Sequence, residues 1–269
     1  MQSLEFLLAP MAFVVLLIGI HSYLGLHVLA RDVIFVDISL SQVAALGAGF
    51  GHLYFGEDAP EIALAFSLSL CLAVALILAL FRKTEKKISQ EAIIGVTYAM
   101  SSGLLLLVLN QLPHGAEHLK TSLIGNILFV TWKEVLQTML VYGLVGTILF
   151  KIHNYIWHQS NQGNGSFLWD FLFYFLFGVV ITFSTQHAGV LVVFTVLVVP
   201  AAISSRFLSR FKNKLLLSWL IGVLGVLLAF LLSLKFDWPP GAGIVTTLSS
   251  LFFIIMILGN LYEKSRRSF

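Results

Sequence analysis

Charge is what this chain has least of. Only 11% of its 269 residues are Asp, Glu, Lys or Arg, where a soluble domain carries about 25%. Hydrophobic residues reach 58% and mean hydropathy is +0.95. One soluble core could not hide so much apolar surface at this chain length. Cysteine is nearly absent too: Cys71 stands alone inside an apolar run, which excludes a disulfide framework and a thiolate metal centre. Strands of about ten residues alternating in polarity, the mark of a membrane barrel, are missing from stretches such as 62–80 and 215–232. There is no GxxxxGK[ST] phosphate cradle and no HExxH pair, so ATP hydrolysis and hydrolytic zinc chemistry lack their simplest signatures. Neither a TVGYG filter nor an acidic rotor-like run occurs. Uphill work must therefore draw on a gradient or on a separate ATPase. The first apolar run lacks a preceding basic residue and a cleavage site, so it is expected to stay as a first span.

What the chain does have is a series of apolar blocks near the roughly 20 residues needed to cross hydrocarbon. They predict an all-α polytopic transmembrane helical bundle, a single domain over 1–269, with about nine spans and limits of eight to ten. The spans fall at 6–29, 38–55, 62–81, 92–112, 135–152, 167–185, 189–207, 215–234 and 244–261. The joints at 55–60 and 237–241 carry Gly and Pro, which stop helices. Segment 123–130 is apolar but too short to cross, and reads as re-entrant or interfacial. With nine spans and the N-terminus outside, thirteen of the sixteen basic residues fall on the cytoplasmic side, leaving only Lys120, Lys133 and Lys235 outside. Adding or removing one span before Arg82 would split the basic clusters between the two faces. That placement leaves no continuous basic surface for nucleic acid. Ala44, Ala45, Gly47, Ala48, Gly49 and Gly51 give the second span a side that neighbours can approach closely.

Polar residues at membrane depth are costly and usually face protein or water. His21, His27, Asp32, Asp37 and Gln42 surround the first cytoplasmic joint. They either line or gate a path, or pair locally at the headgroup boundary. His21 and His27 cannot ligate one ion together, because six residues turn a helix by about 240°. After the fourth span, His114, Glu117 and His118 are candidate ligands for a divalent metal at an external mouth, or members of a solvated loop; His21 and His187 are candidate metal contacts as well. His187 lies at an outward turn, where it meets a substrate or donor protein or satisfies the turn itself. Glu91 and Asn126 are semi-buried candidates for gating or structural roles, with Asn126 expected to hold irregular backbone. In the joint 200–214, Pro200 is expected to end or bend its helix. A short helix over 201–211 would then present Ile203, Phe207, Leu208 and Phe211 beside Arg206 and Arg210. Such an element suits the membrane surface or a groove on a cytoplasmic partner.

Four ordered stretches, 23–47, 90–95, 123–132 and 188–204, together with the turn Asp237-Trp-Pro-Pro-Gly241, resemble the membrane-spanning permease of the ABC-3 family of metal-ion importers. The resemblance covers nearly the whole chain. It implies a second permease subunit as a homodimer, two ATP-binding subunits and an extracytoplasmic metal-binding protein, in the inner membrane of a bacterium. It also implies that this chain binds no cofactor of its own, that ATP is used by the partner, and that a divalent transition metal is the substrate, zinc ahead of manganese and iron. Within that scheme Pro200, Ile203, Arg206, Phe207 and Arg210 are the expected contacts to the ATPase. Gln42 stands where the family pattern has a histidine, and Asp37 lies one place upstream of the family aspartate. The competing classes are a gradient-driven secondary transporter, in which His21, Asp37 or Glu91 couples protons, and a membrane scaffold that moves nothing. No inverted pair of broken spans supports the first.

Overall fold

A computed structural model describes residues 2–56, 58–84, 88–113, 115, 122–162 and 166–267. Among these the chain forms ten α-helices and one 3-10 turn, without a strand. They are α1 Gln2–Ala30, α2 Val36–Phe55, α3 Pro60–Thr84, α4 Gln90–Leu109, the 3-10 turn Ile127–Phe129, α5 Trp132–Lys151, α6 His153–Gln162, α7 Phe167–Ala188, α8 Val190–Phe207, α9 Phe211–Phe236 and α10 Pro240–Arg267.

Eight of these helices are long and apolar enough to cross a membrane; α2 and the short α6 are not among them. The ends of the helices nevertheless give nine traversals of the bundle. Arg31, just after α1, and Arg82, near the end of α3, both bind Asp170. The finishing ends of α1 and α3 therefore share one end of the molecule, and α2 must run back between them. Its hydropathy is diluted by Asp37, Ser39, Ser41 and Gln42, all buried. A polar span of this kind is tolerated because protein, rather than lipid, surrounds it.

Local chemistry sets the boundaries. Ser89 caps α4 by accepting from the Ala92 N–H, and Thr131 with Glu134 forms a capping box at α5. Gly56 and Gly189 end α2 and α7 with φ of 82° and 75°. Interior positions belong to α1, α7 and α8, the most deeply buried of the spanning helices. Around α1 stand α5, α8 and α9; around α2 stand α3, α4 and α7; α10 closes against α8 and α9. The small residues of α2 meet α3 closely: a Cβ on Gly47 would lie 2.5 Å from Ser67 Cα, and one on Gly51 2.5 Å from Ala63 Cα. Gly25 plays the same part between α1 and α8.

Two sequence expectations change here. Pro200 lies inside α8, which continues unbroken to Phe207, so no separate helix forms over 201–211. A packed neighbourhood holds the helix through the proline, with the Ser204 and Ser218 hydroxyls 2.7 Å apart between α8 and α9. The separate short helix lies elsewhere: α6, in the joint between α5 and α7. Segment 123–130 does not cross, and its middle is the 3-10 turn, which buries Ile127 and leaves Phe129 exposed.

Candidate functional site

The end of the bundle where α1 and α3 finish is closed by a buried charge network. Asp170, near the start of α7, accepts from Arg31 Nη1 at 2.9 Å and from Arg82 Nη1. Arg82 also donates to the Gln159 carbonyl at 3.0 Å. The Gln159 amide, turned so that its nitrogen faces Asp170, lies 3.2 Å from the same carboxylate. Arg31 Nε donates to Ser160 Oγ at 2.9 Å, while its guanidinium stacks 4.0 Å over the Phe173 ring. The Ser160 hydroxyl donates to the Ile156 carbonyl and so accepts from both Arg31 and His27 Nδ1, which puts the His27 proton on Nδ1. Arg31 is wholly enclosed, with 0% side-chain exposure against 3% for Asp170. These bonds tie α1, α3, α6 and α7 together at this end. Beside the network, Gln90 at the start of α4 donates to Tyr174 Oη at 2.7 Å.

Above it, α6 rests on an aromatic cluster. His27 and His153 both pack against Trp157 and Phe211. The His153 Nδ1 lies 2.9 Å from Tyr23 Oη. Burial pushes the His153 pKa below the ordinary imidazole value, so the ring is neutral and accepts the tyrosine proton. Tyr155 and His158 are turned to the outside.

At mid-depth His21 is fully engaged by protein. Its Nδ1 donates to the Leu17 carbonyl at 2.9 Å, and Nε2 lies 3.2 Å from Ser184 Oγ, which in turn meets Tyr142 Oη at 2.6 Å. At the opposite end, His187 stands 3.7 Å from Glu134 and edge-on to Phe13. The His187 carbonyl accepts from the Asn126 N–H at 2.9 Å. Asn126 thus holds irregular backbone through its main chain. Gly125, with φ of 70°, and Gly189 fit face to face: a Cβ on Gly125 would lie 2.2 Å from the Ala188 carbonyl carbon.

The least satisfied region is the start of α2. The carboxylate oxygens of Asp37 and the hydroxyls of Ser39 and Ser41 are buried without a hydrogen-bond partner. Glu91 Oε1 accepts from the Phe35 N–H at 3.2 Å, while its Oε2 is also unpartnered. Gln42 is buried one turn farther along. Farther still, a cavity of about 200 Å³ opens between α2, α4 and α7, with Ala44, Ala48, Gly49, His52, Thr182 and Gln186 on its walls. Buried polar atoms without partners call for an explanation, and at membrane depth their usual company is a polar path.

The expected metal ligands are not gathered in one place. His21 faces Ser184 and His187 faces Glu134, while His114, Glu117 and His118 lie outside the described residues. Among the described residues no three of His, Cys, Asp and Glu are grouped to hold a metal ion. The expected partner contacts divide as well. Pro200 and Ile203 are buried within the bundle, whereas Arg206, Phe207 and Arg210 are exposed. Arg206 is itself anchored to Asn260 at 2.8 Å. Sequence reasoning missed the Asp170 network. Its visible signal was one acid at the head of an apolar helix, with Arg31 and Arg82 at the ends of two others.

Comparison with known proteins completes the picture. The profile of the ABC 3 transport family matches residues 3–259. The chain is 25% identical over 261 residues to the manganese transport system membrane protein MntB of Synechocystis, covering 91% of this chain and 82% of that protein. It is 22% identical over 255 residues to the high-affinity zinc uptake system membrane protein ZnuB of Haemophilus influenzae, covering 90% and 92%. The solved structure of PsaBC from Streptococcus pneumoniae in complex with Fab superposes with a TM-score of 0.75 at 20% identity, over 93% of this chain and 90% of that one. The fold is shared with that structure, and the family match spans nearly the whole sequence: the chain belongs to the ABC 3 transport family.

Proposed function

We propose that this chain is the membrane-spanning subunit of an ATP-driven importer that carries a divalent transition metal across the bacterial inner membrane. The observation that carries this reading is the family match from residue 3 to 259, with relatives named for manganese and zinc transport aligned over about nine-tenths of the chain. Two copies of the chain, two ATP-binding subunits and an extracytoplasmic metal-binding protein make up the working assembly. The basic end faces the cytoplasm, with the N-terminus outside and the C-terminus inside.

The metal's path runs past the start of α2, where the Asp37 and Glu91 carboxylates and the Ser39 and Ser41 hydroxyls hold oxygens without partners within the chain, beside the buried Gln42 amide. Zinc comes first in the sequence reading, but the donors here are oxygens: Asp37, Ser41, Glu91 and the Gln42 amide. Oxygen donors suit manganese better than zinc, which takes imidazole readily. This moves manganese ahead. ATPase closure is received at the exposed side of α6, through Tyr155 and His158, together with Arg206, Phe207 and Arg210. It passes to α1, α3 and α7 through Ser160 and the Asp170 network, because rigid hydrogen-bonded contacts carry displacement between elements.

The test is uptake into proteoliposomes holding the chain and its ATPase. ATP-dependent manganese entry, with zinc competing more weakly, is the expected result. Uptake that persists without the ATPase and collapses with the proton gradient would overturn the assignment. Zinc entering in preference to manganese would overturn the metal order alone.

A further inference from the structure

On the outer side of α1, α5 and α9 lies a cleft of about 690 Å³, which shares Tyr23, His153 and Phe211 with the aromatic cluster under α6. Its walls include Gly19, Gly143 and Gly146, and a Cβ built on any of the three would meet nothing within 4 Å. Glycines in membrane helices usually let two helices touch. Here they leave a trough open to the surroundings, with Phe150 and Leu216 exposed among its lining residues.

The trough has a definite length and two different ends. Along α5 its lining runs from Met139 to Phe150, about 16 Å of helix rise, and along α1 from Val15 to Tyr23, about 12 Å. One leaflet of hydrocarbon is about 15 Å deep. Part-way along α1, Trp219 Nε1 donates to the Gly19 carbonyl at 3.0 Å and ties α9 to α1 across the trough. At its end in the joints of the basic face, the trough is lined by Tyr23, His153 and Lys212. Lys151, Arg210 and Lys214 adjoin these in sequence. An apolar trough one leaflet deep with a cationic mouth matches an anionic lipid in both shape and charge.

We propose that this trough is a phospholipid site: an acyl chain lies along Gly143 and Gly146, and an anionic headgroup sits at Lys212. The site depends on the chain being in a bilayer and is independent of what the chain transports. It would fix α5 against α9 at the face where α6 docks.

Native mass spectrometry of the full chain tests this, after equilibration with equal phosphatidylglycerol and phosphatidylethanolamine. One retained phospholipid is expected, with phosphatidylglycerol preferred about 5-fold, the weight of one lysine near an anionic headgroup. Lys212→Gln, on an exposed side chain, should abolish that preference without loss of fold. Gly143→Leu with Gly146→Leu fills the trough and should abolish retention. Absence of any retained lipid, an unchanged headgroup preference in Lys212→Gln, or undiminished retention in the double variant would each overturn the site. So would a disulfide between copies formed at Gly146→Cys, which would make the occupant a second copy of the chain.

Discussion

At the scale of single residues, Asp170 carries more of this structure than any histidine does. One carboxylate is shared by two guanidiniums, Arg31 with no side-chain exposure and Arg82 with 10%. Removing one partner of a buried pair leaves a charge that nothing compensates, at a cost of about 3–5 kcal/mol. Asp170→Asn should therefore lower thermal stability in detergent by that order, read from a melting curve. Arg31→Lys should fare almost as badly, since an ammonium cannot reach Ser160 and Asp170 together or stack on Phe173. The His187–Glu134 pair is the contrasting case. It is partly exposed and separated by 3.7 Å, so breaking it with Glu134→Gln should change stability by less than about 1 kcal/mol. A fall in metal uptake without a fall in melting temperature would assign the pair to receiving substrate.

At the scale of elements, glycine has opposite meanings in α2 and α4. Gly47 and Gly51 allow α2 to touch α3, while Gly95 and Gly103 of α4 would meet nothing within 4 Å if a Cβ were added. Gly47→Val should force the two helices apart and cost on the order of 1–3 kcal/mol, whereas Gly103→Ala should be neutral. Comparing their unfolding temperatures checks the claim, and equal effects would show that α2 packs less tightly than the geometry requires. The role of α6 is tested at the same scale. Because its outer face is free of the buried network, Tyr155→Ala should leave the fold intact and weaken ATPase association or the coupling of ATP turnover to uptake. Unchanged coupling would leave contact to Arg206, Phe207 and Arg210 alone.

At the scale of the whole molecule, the prediction is sidedness. With nine traversals, Ser209→Cys and Asp237→Cys lie at opposite ends of α9. In whole cells an impermeant thiol reagent should label the second and spare the first, while buried Cys71 stays silent. Labelling of both positions from outside would break the bundle's topology and remove the face assigned to the ATPase.

Composition and run length settled the class of this protein, because 20-residue apolar segments with few charges have no stable home except a bilayer or a fully buried core. Basic residues at the joints gave nine spans; eight helices are apolar enough to cross, and the shared partner of Arg31 and Arg82 adds α2, which by itself is too polar to qualify. Pattern also pointed to close packing along α2. Only the tertiary structure decided which polar residues meet. Asp170 lies 139 positions from Arg31, and no local periodicity can pair residues so far apart. It likewise decided that Pro200 stays within a helix, since the packing of α8 against α1, α9 and α10 outweighs the one hydrogen bond a proline forfeits. The trough beside α5 belongs to the same category: a glycine's sequence position cannot say whether a neighbour or an open space lies across from it.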